Sequence, residues 1–106
     1  MSETLTVLMA VYNGERFLRT AVDSILNQTH SDFRFLVVDD ASTDSTPELL
    51  RRIRDPRLEV FRLDQNVGQT AALNIGLRRA ATPYIARMDA DDYSAPHRLE
   101  RQMSLL

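Results

Sequence analysis

The chain is predicted to fold as an α/β domain: a doubly wound, mostly parallel sheet built from alternating β-α units. Three observations lead there. Apolar strand-length runs alternate four times with segments of helical periodicity along 106 residues, the pattern of an α/β layer architecture. The first two runs, residues 5–11 and 33–38, are nearly continuous rather than alternating, as suits parallel strands covered on both faces. Polar groups gather directly after each run, at Tyr12-Asn13, Asp39-Asp40, Asp64-Gln65-Asn66 and Asp89-Ala90-Asp91-Asp92. In open α/β sheets, ligands bind beyond the carboxyl ends of the strands, where the strand order reverses.

Each element has its own signal. The run at residues 5–11 stops at Tyr12-Asn13-Gly14, a turn sequence. Phe17, Leu18, Ala21, Val22, Ile25 and Leu26 then recur at helical spacing over about residues 15–28. Residues 33–38 form the second strand, bounded by Asp39-Asp40. Thr46-Pro47-Glu48 reads as a cap, a proline in the first turn and an acid near the positive helix end. The helix it opens carries Leu49, Leu50 and Ile53, and Asp55-Pro56 breaks it. Leu58, Val60, Phe61 and Leu63 make a third strand. A third helix covers about residues 68–80, with Leu73, Leu77 and Ala80 on one stripe and Gly76 allowing close contact with the sheet. Thr82-Pro83 opens a fourth strand, residues 84–88. Pro96 starts a fourth helix with Leu99, Met103 and Leu106 on one face.

Composition narrows the function classes. Hydrophobic residues make up 43% and charged residues 26%, which fits one globular domain over residues 1–106. With no cysteine, disulfides and thiolate metal sites are excluded. A net charge of −2 leaves no basic footprint for nucleic acid. No apolar stretch is long enough to span a membrane, and the Met1-Ser2-Glu3-Thr4 start lacks a basic region followed by a hydrophobic one. The expectation is a cytoplasmic protein, with peripheral attachment to the inner face of the membrane left open.

Asp89, Asp91 and Asp92 place three carboxylates within four residues at the end of an apolar run. Two such charges about 4 Å apart repel by roughly 4 kcal/mol near a protein surface. A divalent cation relieves that repulsion, and Mg²⁺ commonly sits on one or two carboxylates plus the phosphates of a substrate. The plainer reading is a solvated acidic turn. The three glycines, Gly14, Gly68 and Gly76, are too far apart for a glycine-rich phosphate cradle. Elimination therefore favours a metal-bridged diphosphate.

Taken together, Val11-Tyr12-Asn13-Gly14, Val37-Val38-Asp39-Asp40-Ala41-Ser42-Thr43-Asp44, Asn66-x-Gly68 leading to Leu73-Asn74-x-Gly76, Asp89-Ala90-Asp91-Asp92 and Pro96-x-Arg98-Leu99-Glu100-x-Gln102 resemble family 2 of the glycosyltransferases across nearly the whole chain. The resemblance implies a GT-A fold and a nucleotide-diphospho-sugar donor, usually a UDP-sugar. It further implies Mg²⁺ or Mn²⁺, inversion at the anomeric carbon, and a saccharide or lipid-linked acceptor. By the same resemblance Ala10, Tyr12, Asn13, Asp39, Asp40, Asn66, Asp89 and Ala90 contact the nucleotide, Asp40 taking the uracil imide. Asp89, Asp91 and Asp92 hold the metal. Leu73 departs from the arginine common in the family, leaving the diphosphate to the metal or to Arg87 or Arg98.

These enzymes normally run well past residue 106, and the acceptor half with its general base is expected beyond Leu106. The apolar stripe reaching Leu105-Leu106 without a C-cap points the same way. The segment is thus expected to be the donor-binding part of a longer enzyme and inactive alone. Plainer roles stay open for single residues: Tyr12 as a packing tyrosine, Asn66 and Asn74 as turn and helix hydrogen-bonders, Ser42-Thr43-Asp44 as a helix cap, His30 and His97 as surface residues. A nonenzymatic nucleotide-sugar module and a metal-dependent nucleotidyltransferase are the alternatives. A phospho-acceptor receiver domain would carry its acid pair after the first strand and a lysine after the last; Tyr12-Asn13 stands in the first place and the chain has no lysine.

Overall fold

The computed structural model describes residues 5–105. Met1-Ser2-Glu3-Thr4 and Leu106, the last residue of the expected apolar stripe, lie outside them. The elements follow in the order β1 (Leu5–Val11), α1 (Leu18–Leu26), β2 (Arg34–Asp39), α2 (Thr46–Arg51), β3 (Leu58–Arg62), α3 (Gln69–Arg79), β4 (Tyr84–Asp89) and α4 (Arg98–Ser104). The strands form one parallel sheet in the order β3-β2-β1-β4. The chain winds outward from β1 to β3, then returns to place β4 on the far side of β1. The order therefore reverses between β1 and β4, and a crevice opens there.

Right-handed crossovers decide which face each helix covers. Leu18, Val22 and Ile25 of α1, Leu50 of α2 and Leu99 of α4 pack with Val7, Met9, Phe35, Val37 and Met88 on one face. Ala72 and Leu73 of α3 cover Leu8, Ala10, Leu36 and Val38 on the other. Every residue of β1 is buried, which explains its continuous apolar run. Burying a phenylalanine such as Phe35 contributes about 1.5–3 kcal/mol.

Two expected stripes shift. In α3 the buried face is Ala72, Leu73 and Gly76, while Leu77 is exposed. A Cβ on Gly76 would lie 2.4 Å from Leu8 Cδ1, so the helix rests on the sheet through its smallest residue, as its sequence implied. In the first helix, Gly14 O accepts the amide N–H groups of Phe17 and Leu18, so the residues before α1 form a turn and Phe17 faces outward. Among the described residues, no helix is long and apolar enough to cross a membrane.

Candidate functional site

The turns after β1 and β2 are stitched together. Asn13 adopts a left-handed backbone conformation, φ 52°, which asparagine tolerates better than most residues. Its Oδ1 accepts from Thr43 N at 2.8 Å and Asp44 N at 3.2 Å, and its own N–H donates to Ser42 Oγ at 2.9 Å. Gly14 N donates to Thr46 Oγ1 at 3.0 Å. Asp44 does cap: its Oδ1 accepts from Thr46 N at 2.8 Å as α2 begins.

Burial opposes the Asp44 charge, but the Thr46 hydroxyl and the N–H groups of Thr46 and Glu15 outweigh it and hold the carboxyl below its ordinary 3.8. A carboxyl lowered in the folded state stabilises the fold above its unfolded value and stops doing so as pH falls through the folded one. Asp44→Ala should therefore cost about 1 kcal/mol at pH 7, with the gap to the parent protein closing as pH falls below the ordinary carboxylate value and through the lowered folded one. Urea midpoints measured across that range check it.

Asp39 and Asp40 are neighbours that face opposite sides of the sheet, because successive side chains of a strand alternate. Asp39 is 1% exposed, accepts from Ser42 N at 3.0 Å and pairs with Arg62 Nη1 at 2.7 Å on the α2 side. It is not among the residues that line the crevice. Asp40 turns toward α3. Its Oδ1 accepts from Val67 N at 2.8 Å, and its Oδ2 from Gly68 N at 3.0 Å and Asn66 Nδ2 at 3.1 Å. Asn66 thus reaches Asp40 instead of the crevice. One lone pair of Asp40 Oδ1 stays available, since a carboxylate oxygen accepts twice.

Between β1 and β4 lies a cavity of about 390 Å³. Ala10, Tyr12 and Asn13 form its β1 side, Asp40 its floor toward β2, and Asp89, Ala90 and Asp91 its β4 side. Tyr12 is half exposed at the mouth. Ala10 is the register partner of Asp89, so strand pairing itself sets the two sides against each other. Phe17 and Gln69 also line the cavity. Neither was expected there: Phe17 fits the helical spacing of α1, and nothing in residue type marks Gln69.

Asp89, Asp91 and Asp92 are exposed and can each bring a carboxylate oxygen within 4.8 Å of the others. The turn that gathers them is closed by Asp92 N donating to Asp89 O at 3.0 Å and Asp89 N donating to Asp92 Oδ2 at 3.3 Å. Asp89 Oδ1 also accepts from Gln69 Nε2 at 3.2 Å. Neither Arg87 nor Arg98 lines the cavity. Arg98 donates instead to Ser94 Oγ at 2.9 Å and Arg87 O at 2.8 Å, bracing the chain behind the acids. Leu73 is core. Among the described residues, no cation lines the cavity, and only carboxylates offer it charge.

The sequence matches the model of glycosyl transferase family 2 over residues 6–106. The succinoglycan biosynthesis protein ExoO of Rhizobium meliloti is 38% identical over 99 residues, covering 93% of this chain and 28% of that protein. The crystal structure of S. aureus TarS in complex with UDP superposes with a TM-score of 0.88 at 28% identity, over 98% of this chain and 31% of the other. The mannosyltransferase PcManGT of Pyrobaculum calidifontis, in complex with GDP-Man and Mn²⁺, gives 0.79 at 30% identity over 88% of this chain and 29% of its own. The chain therefore spans about a third of the length of these proteins. With its four-stranded parallel sheet, switch-point cavity and acidic turn, it belongs to glycosyl transferase family 2 and has the GT-A fold.

Proposed function

We propose that residues 1–106 are the donor-binding part of an enzyme that transfers a sugar from a nucleoside diphosphate, with UDP as the carrier, to an acceptor hydroxyl with inversion at the anomeric carbon. The observation that carries this reading is that one cavity at the switch point is lined by Tyr12, Asp40 and the acidic turn together. Tyr12 offers a half-exposed ring for the base, and Asp40 a lone pair for the uracil imide. Asp39 and Asn66 act through others, Asp39 by holding Arg62 and Ser42, Asn66 by holding Asp40.

The acidic turn fits Mg²⁺ or Mn²⁺, because three convergent carboxylates are the hard oxygen donors those ions prefer. Bound there, such an ion supplies Lewis-acid stabilisation of charge developing on the departing diphosphate. Asp89, Asp91 and Asp92 would hold it. The cavity walls orient the donor and so lower the entropic part of the barrier. Deprotonation of the acceptor needs a base, and every acid lining the cavity is already assigned to the donor side. The base is placed in the remainder of the enzyme, and residues 1–106 alone are expected to bind donor without turnover. A saccharide or lipid-linked acceptor accords with the polysaccharide role in the name of the relative ExoO. A nonenzymatic module would bind the same donor, and turnover by the intact protein separates the two.

The test is calorimetric titration with UDP and with uridine. UDP should bind more tightly with Mn²⁺ than with a chelator, while uridine should be indifferent to the metal. Asp40→Ala should weaken uridine about tenfold, as expected for a lost hydrogen bond to a charged group, equally in both conditions. Unchanged uridine affinity removes the base-binding role from Asp40.

A further inference from the structure

We infer that Gln69 is a positioning residue for the metal-facing acids, fixing Asp89 through a neutral hydrogen bond; the inference rests on the donor-site reading above. Gln69 is the first residue of α3, and its Nε2 donates to Asp89 Oδ1 at 3.2 Å from the opposite wall of the cavity. Among the described residues it is the only side chain from another element that hydrogen-bonds to any of the three acids. The bond occupies one oxygen of Asp89 and leaves Oδ2 for a ligand.

The neutrality of the donor matters. An arginine or lysine in this place would orient Asp89 equally well, but would cancel part of the negative charge that attracts a cation. An amide orients the carboxylate and leaves its charge intact. Carboxylates that ligate metals are characteristically held by hydrogen bonds from such outer partners, and losing one partner typically weakens metal binding about 10- to 100-fold.

The local backbone shows how the residue is aimed. Val67 N and Gly68 N both donate to Asp40, and Gln69 follows directly. Gly68 lies at φ 92° and ψ 158°, a region that is essentially glycine's alone. A Cβ there would meet nothing within 4 Å, so glycine is required by backbone conformation and not by space. Residues 66–69 thus form a strut across the cavity, anchored by backbone and Asn66 to Asp40 and by the Gln69 side chain to Asp89. Asp40 serves the base end of the donor and Asp89 the diphosphate end. The strut sets the distance between them.

Gln69→Met keeps length and removes the donor at an exposed position, so the fold should persist with an unchanged melting temperature. The readout is the ratio of UDP affinity with Mn²⁺ to that with chelator, alongside metal-free uridine affinity. Gln69→Met should reduce the ratio about 10- to 100-fold and leave uridine binding unaltered. A parent protein with no Mn²⁺ enhancement would overturn the metal site itself, and this inference with it. A parent protein with clear enhancement that Gln69→Met retains in full would overturn the role of Gln69 alone.

Discussion

Asp91→Asn is expected to abolish the Mn²⁺ enhancement of UDP binding and to lower kcat/KM of the intact enzyme about 10³-fold. Asp89 and Asp92 are tied to each other, and Asp89 also to Gln69, whereas Asp91 lines the cavity with no hydrogen-bond partner among the described residues. It is the acid most completely free for a cation. Asparagine preserves its shape and removes its charge. Lewis-acid stabilisation is worth several kcal/mol, and each 1.36 kcal/mol is tenfold in rate, which sets the size of the loss. Binding with chelator should move slightly the other way, because one repulsive charge has left the neighbourhood of the diphosphate. Steady-state kinetics and paired UDP titrations read both effects. An Asp91→Asn protein with its Mn²⁺ enhancement intact would remove Asp91 from the metal site.

Gln28→Leu is expected to cost about 3 kcal/mol of stability. Gln28 is buried, 5% exposed, just beyond α1. Its Nε2 donates to Ser24 O at 3.0 Å, Ser94 O at 3.3 Å and Ala95 O at 2.7 Å, and its Oε1 accepts from Leu99 N at 3.0 Å. Leucine fills similar space and satisfies none of these groups, each of which costs about 1–3 kcal/mol when buried without a partner. The total is a large share of the roughly 5–15 kcal/mol that holds a domain folded. Residues 94–99 follow the acidic turn closely, so the same change should loosen that turn from behind. Urea denaturation checks the stability, and a change below about 1 kcal/mol would refute the anchoring role.

Strands and helices were legible in the sequence wherever a long apolar run or stripe had one possible burial. The second strand is displaced by a single residue, to Arg34–Asp39, because Asp39 keeps strand pairing while its charge is met by Arg62. Helix starts were less legible. Gly14 O captures two amide groups and delays α1 to Leu18, and spacing alone cannot anticipate that. The α3 stripe was misread because Leu77 carries a stronger hydropathy signal than Ala72, yet the helix turns Ala72, Leu73 and Gly76 to the sheet and leaves Leu77 exposed.

At the site, the acids stood out by type and by their place at strand ends, but not by direction. Asp39 and Asp40 look equivalent in a motif and diverge in space. Applying the two-residue period of a strand through the end of β2 would have separated them. Gln69 and Gln28 were missed for a different reason. An amide acts wherever its partners happen to lie, and those partners are 20 and some 70 residues away.

The pairing of β1 with β4 bears on when the cavity comes into being. β1 leaves the ribosome well before β4, so Ala10 and Asp89 meet only after a long loop has closed, a slow kind of contact to form. Until that closure, the cavity lined by the ends of both strands is incomplete. Occupancy of the proposed donor site would therefore report only on molecules that have completed this pairing, and by mass action a bound nucleotide should hold β4 against β1.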